Sequence, residues 1–191
     1  SDQYRRIRNT FRFIMGNLSD FDENTKKINE NDLVEIDKWI ISEAIKLHEE
    51  VNSLNEDYAY HHVIQKIHNF CVHELGGVYL DIIKDRMYVT KSDSHARISA
   101  QNALFEVADI LIRLISPILV FTAEEIWQSH ELFKKQSKSV FLCPQKILNK
   151  IESSISDKDW ETIFYVKDIV NQNIEKARSD TIIKGLSLIH I

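Results

Sequence analysis

The sequence predicts an all-α protein, an up-and-down helical bundle, and three observations carry that prediction. Only 4 glycines and 2 prolines occur in 191 residues, too few turn formers for a many-stranded sheet. Apolar residues recur at helical spacing through long stretches separated by short polar breaks. The breaks hold residues that start and stop helices, notably Ser92-Asp93-Ser94 and Pro117. Hydrophobic residues make up 43% of the chain, enough for the core of one domain.

Taken in order, Tyr4, Ile7, Phe11, Ile14 and Leu18 follow the 3.6 period and predict an amphipathic opening helix. Residues 19–31 are polar, rich in Asn and Asp, and read as a loop. A second helix is expected from about Asp32, capped by Asn31 or Asp32, with Leu33, Ile36, Ile40, Leu47, Val51 and Leu54 buried. A third is expected from about Asp57 to His73 with Tyr60, Val63, Ile67, Phe70 and Cys71 inward, broken or kinked at Gly76-Gly77 and resumed as a short helix through Lys84. The fourth runs roughly from 94 to 115 on a core face of Leu104, Val107, Ala108, Leu111 and Ile115, and Pro117 stops it and can begin the next. These elements, 1–128, form the expected bundle. Residues 129–156, with Pro144 and several Ser, read as an irregular connector or small appendage. Asp157 opens a last helix to about Arg178, expected to pack on the bundle, and 181–191 turn β-like, as the start of a following unit.

Composition narrows the function. No run approaches the ~20 apolar residues of a membrane helix, and a charged, helix-patterned segment replaces a signal peptide at the start. The missing initiator Met suggests a part of a longer protein. Cys71 and Cys143 have no C-x-x-C partner, which predicts free thiols in a reducing, cytoplasmic setting; separately, the chain is expected to be a monomer. The net charge of −5 is unevenly spread. Residues 1–15 carry four Arg against one Asp, 20–57 carry twelve acids against four Lys, and 84–97 carry four cations against two acids. An acidic body with local basic ends suits a protein that touches RNA at one tip.

Two clusters could make that contact. Arg5, Arg8 and Arg12 recur at i, i+3, i+7 and share a helix face, and three guanidinium forks in a row can read phosphates or base edges. A solvated face with some Arg paired to acids such as Asp37 explains the same pattern. Lys84-Asp85-Arg86-Met87-Tyr88 sets two cations, a carboxylate and an aromatic at one element end, fit for phosphates and a stacked base; a helix C-terminus with dipole-favoured cations is the alternative. Ala123-Glu124-Glu125-Ile126-Trp127 has no nearby His or nucleophile and reads as structural, with Trp127 a core anchor. His61, His62, His68 and His73 include no i, i+4 pair and no Cys at finger spacing, so no metal site and no catalytic residue is expected.

Three stretches also carry a resemblance. Tyr4-Arg5-Arg6-Ile7-Arg8-Asn9-Thr10-Phe11-Arg12-Phe13, Tyr79-Leu80-Asp81-Ile82-Ile83-Lys84-Asp85-Arg86 and Ser116-Pro117 through Trp127 resemble the anticodon-binding helical domain of the class Ia synthetases, the isoleucyl-tRNA synthetase family in particular. The resemblance covers roughly 1–188, strongest over 4–13, 79–127 and 174–180. It implies a tRNA partner, the isoleucine anticodon stem-loop. It places Arg8-Asn9 at the position of an Arg–Asn pair beside the anticodon bases. It makes Arg86 a phosphate or base contact, Asp85 its orienting or base-accepting partner, and Tyr88 a stacking face, with Arg5, Arg12 and Lys84 adding charge. Neither His-x-Gly-His nor Lys-Met-Ser-Lys-Ser occurs. The implied ATP chemistry, and any zinc region, would therefore lie outside this chain, which needs no cofactor of its own. The equivalent domain of a valyl-, leucyl- or methionyl-tRNA synthetase is the nearest alternative. A helical protein-interaction module, favoured by the acidic stretch, is the alternative of another kind.

Overall fold

The computed structural model describes residues 2–22, 26–144, 146 and 148–179, and every regular element among them is helical. They fall into two compact units divided after Glu152. The first holds α1 (Asp2–Asn17), α2 (Glu35–Glu56), α3 (Tyr60–Phe70), a widened π turn (Cys71–Tyr79), α4 (Leu80–Tyr88), α5 (His95–Ile115), α6 (Val120–Ser129) and α7 (Glu131–Gln136). Short 3-10 turns stand at Glu30–Asp32 and Val140–Leu142. The second holds α8, Asp157–Ser179.

The first unit closes around α5, the helix buried along most of its length. Its most extensive partner is α2. Ile7, Phe11 and Ile14 of α1, Ile40, Ala44 and Val51 of α2, and Val63 and Ile67 of α3 meet Leu104, Val107, Leu111 and Ile115 in the core. Each large apolar side chain so buried is worth roughly 1.5–3 kcal/mol, so the 3.6 periodicity translates directly into packing. Ser94 caps α5 as the sequence predicts, accepting a hydrogen bond from the Arg97 N–H. Tyr60, expected inward, is instead exposed against Tyr58, their ring centroids 6.3 Å apart. Tyr58 takes φ 57°, the left-handed residue that ends α2, and the Ala59 N–H closes back onto the Leu54 carbonyl. That turn directs Tyr60 away from the core.

The start of α2 also departs from expectation. Neither Asn31 nor Asp32 caps it; both lie at the 3-10 turn before it, and Val34 stands at the cap without a side-chain bond. The Val34 N–H donates instead to Ser99 Oγ on α5, 2.9 Å away. A tertiary hydroxyl thus holds the residue that precedes the helix, which no side chain caps. The loop from Leu18 is pinned from the same helix. Gln101 Nε2 donates to the Asn17 carbonyl and to Asp20 Oδ1, and Asn102 Nδ2 donates to the Lys26 carbonyl.

Gly76-Gly77 does not break the chain. The helix continues from Tyr60 to Tyr88, and the nine residues Cys71–Tyr79 widen into i→i+5 bonding. A Cβ at Gly76 would lie 2.8 Å from the Cys71 carbonyl oxygen, and one at Gly77 would lie 3.2 Å from that of Val72. The absence of a side chain admits the close carbonyl approach that a π turn brings. One extra residue per turn rotates everything downstream by about 100°, which decides which side of α4 faces inward. Gly76→Ala is expected to lower the unfolding free energy by about 1–3 kcal/mol, as overpacking does, measured by urea denaturation. A variant as stable as the parent would show that the turn relaxes to α-helical spacing at no cost.

Residues 129–144 are better packed than their composition suggests. Phe133 of α7 is fully buried, stacked between Phe105 and Trp127 at centroid distances of 5.2 and 5.3 Å. His130 caps α7, its Nδ1 accepting from the Leu132 N–H. Both cysteines are free thiols, and burial pushes the Cys71 thiol up to about 12. No helix among the described residues is long and apolar enough to cross a membrane.

In the second unit α8 begins where predicted. Ser156 Oγ accepts from the Asp159 N–H and donates to the Asp159 carboxylate, and Trp160 stacks on Phe164. The β-like tail, 181–191, lies outside the described residues.

Candidate nucleic-acid interface

A groove opens where α1 passes the end of α4, lined by Asn9, Arg12, Phe13, Gly16, Asn17 and Tyr88. On α1 these residues stand at i, i+3, i+4, i+7 and i+8, one continuous face. Tyr88 is 65% exposed and meets the Phe13 ring edge-on, centroids 6.5 Å apart. The contact engages part of the tyrosine and leaves much of the ring open to a stacking partner. Asn17 turns its amide back onto the Phe13 carbonyl, so it closes the groove floor. At Gly16 a Cβ would meet nothing within 4 Å; the groove is open there.

The structure separates the sequence-predicted cations by what their forks already hold. Arg12 is exposed and has no acidic partner among the described residues. Arg5 pairs with Asp2 on the same helix. Arg8 is turned away from the groove, towards α6. Its two terminal nitrogens donate to Glu125 at 2.7 and 2.6 Å, and Tyr4 Oη lies 3.4 Å away. The Glu125 bond raises the Arg8 pKa and lowers that of Glu125. Arg8 and Glu125 thereby tie α1 to α6, and the Ala-Glu-Glu-Ile-Trp segment is structural: Glu124 accepts from Ser139 Oγ and the Val140 N–H. Arg8, expected beside the anticodon bases, thus holds a bidentate partner from α6, in a pair whose side chains both stay exposed.

Arg86, expected as a phosphate or base contact, is also engaged within the fold. Its side chain is 15% exposed and points inward. Nε and Nη2 donate to the Ala96 carbonyl, and Nη1 and Nη2 donate to the two oxygens of Asp37 at 3.1 and 2.5 Å. Asp37 is wholly buried and also accepts from Tyr79 Oη and Ser99 Oγ, at 2.7 and 2.5 Å. Burial, and then the Asp37 charge beside it, holds the Tyr79 phenol well above the usual tyrosine range. The sequence named Asp37 as a possible arginine partner, though for the opening helix; the fold gives it to Arg86. Lys84 and Asp85 stay on the exposed side of α4, and Lys84 pairs with Asp81 at 2.7 Å. That hydrogen bond raises the Lys84 pKa.

Of the predicted residues the fold therefore brings Asn9, Arg12 and Tyr88 together, with Lys84 and Asp85 exposed one turn earlier on α4. It withdraws Arg8 and Arg86 into ion pairs and leaves Arg5 outside the groove lining. The sequence reading missed Phe13, Gly16 and Asn17. Their spacing from Asn9 on the helix was available in the sequence. No group of three or more His, Cys, Asp or Glu able to hold a metal occurs among the described residues.

An all-helical bundle that turns an uncommitted arginine, an amide and an open tyrosine ring out at one end has the make-up of a single-stranded RNA reader. The family model described as "Anticodon-binding domain of tRNA ligase" matches residues 37–189, and the chain belongs to that family. It is 44% identical over 185 residues to the isoleucine–tRNA ligase of Pseudoalteromonas translucida, covering 96% of this chain and 19% of that protein. The isoleucine–tRNA ligases of Caldicellulosiruptor saccharolyticus and Pseudomonas aeruginosa are 44% and 42% identical over 187 and 188 residues, in each case 97% of this chain and 20% of the relative. The chain thus spans about a fifth of the length of these relatives.

Proposed function

We propose that this chain recognises the anticodon stem-loop of an isoleucine tRNA as part of an isoleucine–tRNA ligase. The groove between α1 and α4 carries the reading. An unpaired base stacks on the open face of Tyr88, Arg12 meets a phosphate or base edge, and Asn9 supplies both a donor and an acceptor for discrimination. Lys84 and Asp85 border the approach, the lysine for phosphates and the carboxylate for a base amino group. Arg8 and Arg86 support the groove from their ion pairs. The choice of isoleucine rests on the names of the similar ligases. ATP-dependent joining of the amino acid, and any zinc that such a ligase uses, belong to the remaining four-fifths of proteins of that length.

The test is titration of the chain with an isoleucine anticodon stem-loop and a scrambled loop, at low and moderate salt. Tyr88→Ala and Arg12→Ala are each expected to weaken cognate binding by about 1–3 kcal/mol, and Arg8→Ala by less. Gly16→Leu is the sharper probe. Replacing a helical glycine should stabilise α1 by up to about 1 kcal/mol, yet the leucine fills the groove and should weaken binding. Loss of binding with a gain in thermal midpoint separates an occluded site from a damaged fold. Unchanged binding in Gly16→Leu and Tyr88→Ala would remove the groove from the reading. Binding to both loops alike would remove base recognition.

A further inference from the structure

The carboxylate of Asp37 takes four donors from three elements: Tyr79 at the end of the π turn, two nitrogens of Arg86 on α4, and Ser99 on α5. It sits in the first turn of α2, is fully buried, and is not among the residues that line the α1–α4 groove. Such a cluster is more than a single strut. Arg86 also holds the Ala96 carbonyl at the start of α5, and the next residue, Met87, is buried with its own carbonyl accepting from Arg97. Two successive residues of α4 are thus held from the inside, immediately before Tyr88. On a helix, fixing residue 86 fixes the direction in which residue 88 leaves, about 200° further round. The π turn upstream sets the rotation at which α4 begins, and these bonds hold that rotation at the helix's last turn.

Resting on the RNA-binding reading of the groove, we propose that Asp37 is a positioning residue for anticodon recognition: through Arg86 it fixes the rotation of the last turn of α4, and so the place of Tyr88 against Phe13 and Arg12. A buried carboxylate with every donor supplied by the protein favours one arrangement, since a slipped helix would leave a charge unpaired. Asp37 acts here as a registry device for a surface that it does not touch.

The experiment is a double-mutant cycle on stem-loop binding by this chain, with Asp37→Asn, Tyr88→Ala and the double variant. Binding is read well below each variant's own thermal midpoint, where all are folded. The expected result is that Asp37→Asn weakens cognate binding about tenfold and that the double variant binds no worse than Tyr88→Ala alone, a non-additivity that marks one residue acting through the other. The Phe13–Tyr88 ring contact, followed by NMR cross-peaks, should be lost in Asp37→Asn. Additive effects, or wild-type binding in folded Asp37→Asn, would overturn the proposal. Should Asp37→Asn not fold, Tyr79→Phe removes one donor and keeps both arginine bonds. It is expected to show the same non-additivity with a loss of about threefold, and additivity there overturns the proposal equally. If Tyr88→Ala itself leaves binding unchanged, the RNA reading of the groove fails first, which the cycle shows independently.

Discussion

Arg86→Ala is expected to lower the unfolding free energy by about 3–5 kcal/mol. The substitution leaves the wholly buried Asp37 carboxylate with only the Tyr79 and Ser99 hydroxyls. Desolvation of that charge is then uncompensated, and the Ala96 carbonyl loses both of its arginine donors. A surface ion pair would cost about 0–1 kcal/mol, so size separates the two cases. Urea denaturation at neutral pH measures it. The paired change Asp37→Leu with Arg86→Met removes the stranded charge and should recover much of the loss, because buried pairs replaced together by apolar groups are often near neutral. A loss of under about 1 kcal/mol in Arg86→Ala would mean that water reaches Asp37 in the variant.

Trp127→Ala is expected to cost a similar amount, about 3–5 kcal/mol, through the cavity it leaves. Trp127 is fully buried, stacked on Phe133, and capped by the Arg113 guanidinium 5.4 Å above its ring. Its indole N–H donates to the Ser137 carbonyl at 2.9 Å. One side chain thereby fastens α6, α5, α7 and the turn that follows. Trp127→Phe keeps a stacking ring and drops the hydrogen bond, and should cost distinctly less. Calorimetric midpoints of the two variants, compared with the parent, give the partition between packing and the polar contact. Equal losses would assign the effect to the indole N–H.

The helices were legible in the sequence because burial follows a period. The stripes on α1, α2, α3 and α5 are local patterns, and most of the residues that recur every three or four places are buried in the core, with Tyr4 and Tyr60 exposed and Ile36 and Leu54 half-buried at the stripe ends. The Ser94 cap, the Trp127 anchor and the start of α8 are also local. Phe133 was not, because a six-residue helix is too short to show a period and only its position under Trp127 gives it meaning. Gly76-Gly77 was misread for a related reason. Glycine commonly ends helices, and whether it instead admits a close carbonyl depends on the bonding of the turn around it.

By itself the sequence determined that this chain is a helical bundle, that its cations cluster near residues 5–12 and 84–97, and that Arg5, Arg8, Asn9, Arg12, Lys84, Asp85, Arg86 and Tyr88 are candidates for contact. Only the tertiary structure decided which arginines are free. A guanidinium has the same appearance in a sequence whether it meets solvent or a carboxylate, and the carboxylates that claim Arg8 and Arg86 come from Glu125 and Asp37, 117 and 49 residues away along the chain. Helical periodicity fixes a side chain's angle on its own helix; what waits at that angle is fixed by packing between helices, which no local pattern encodes.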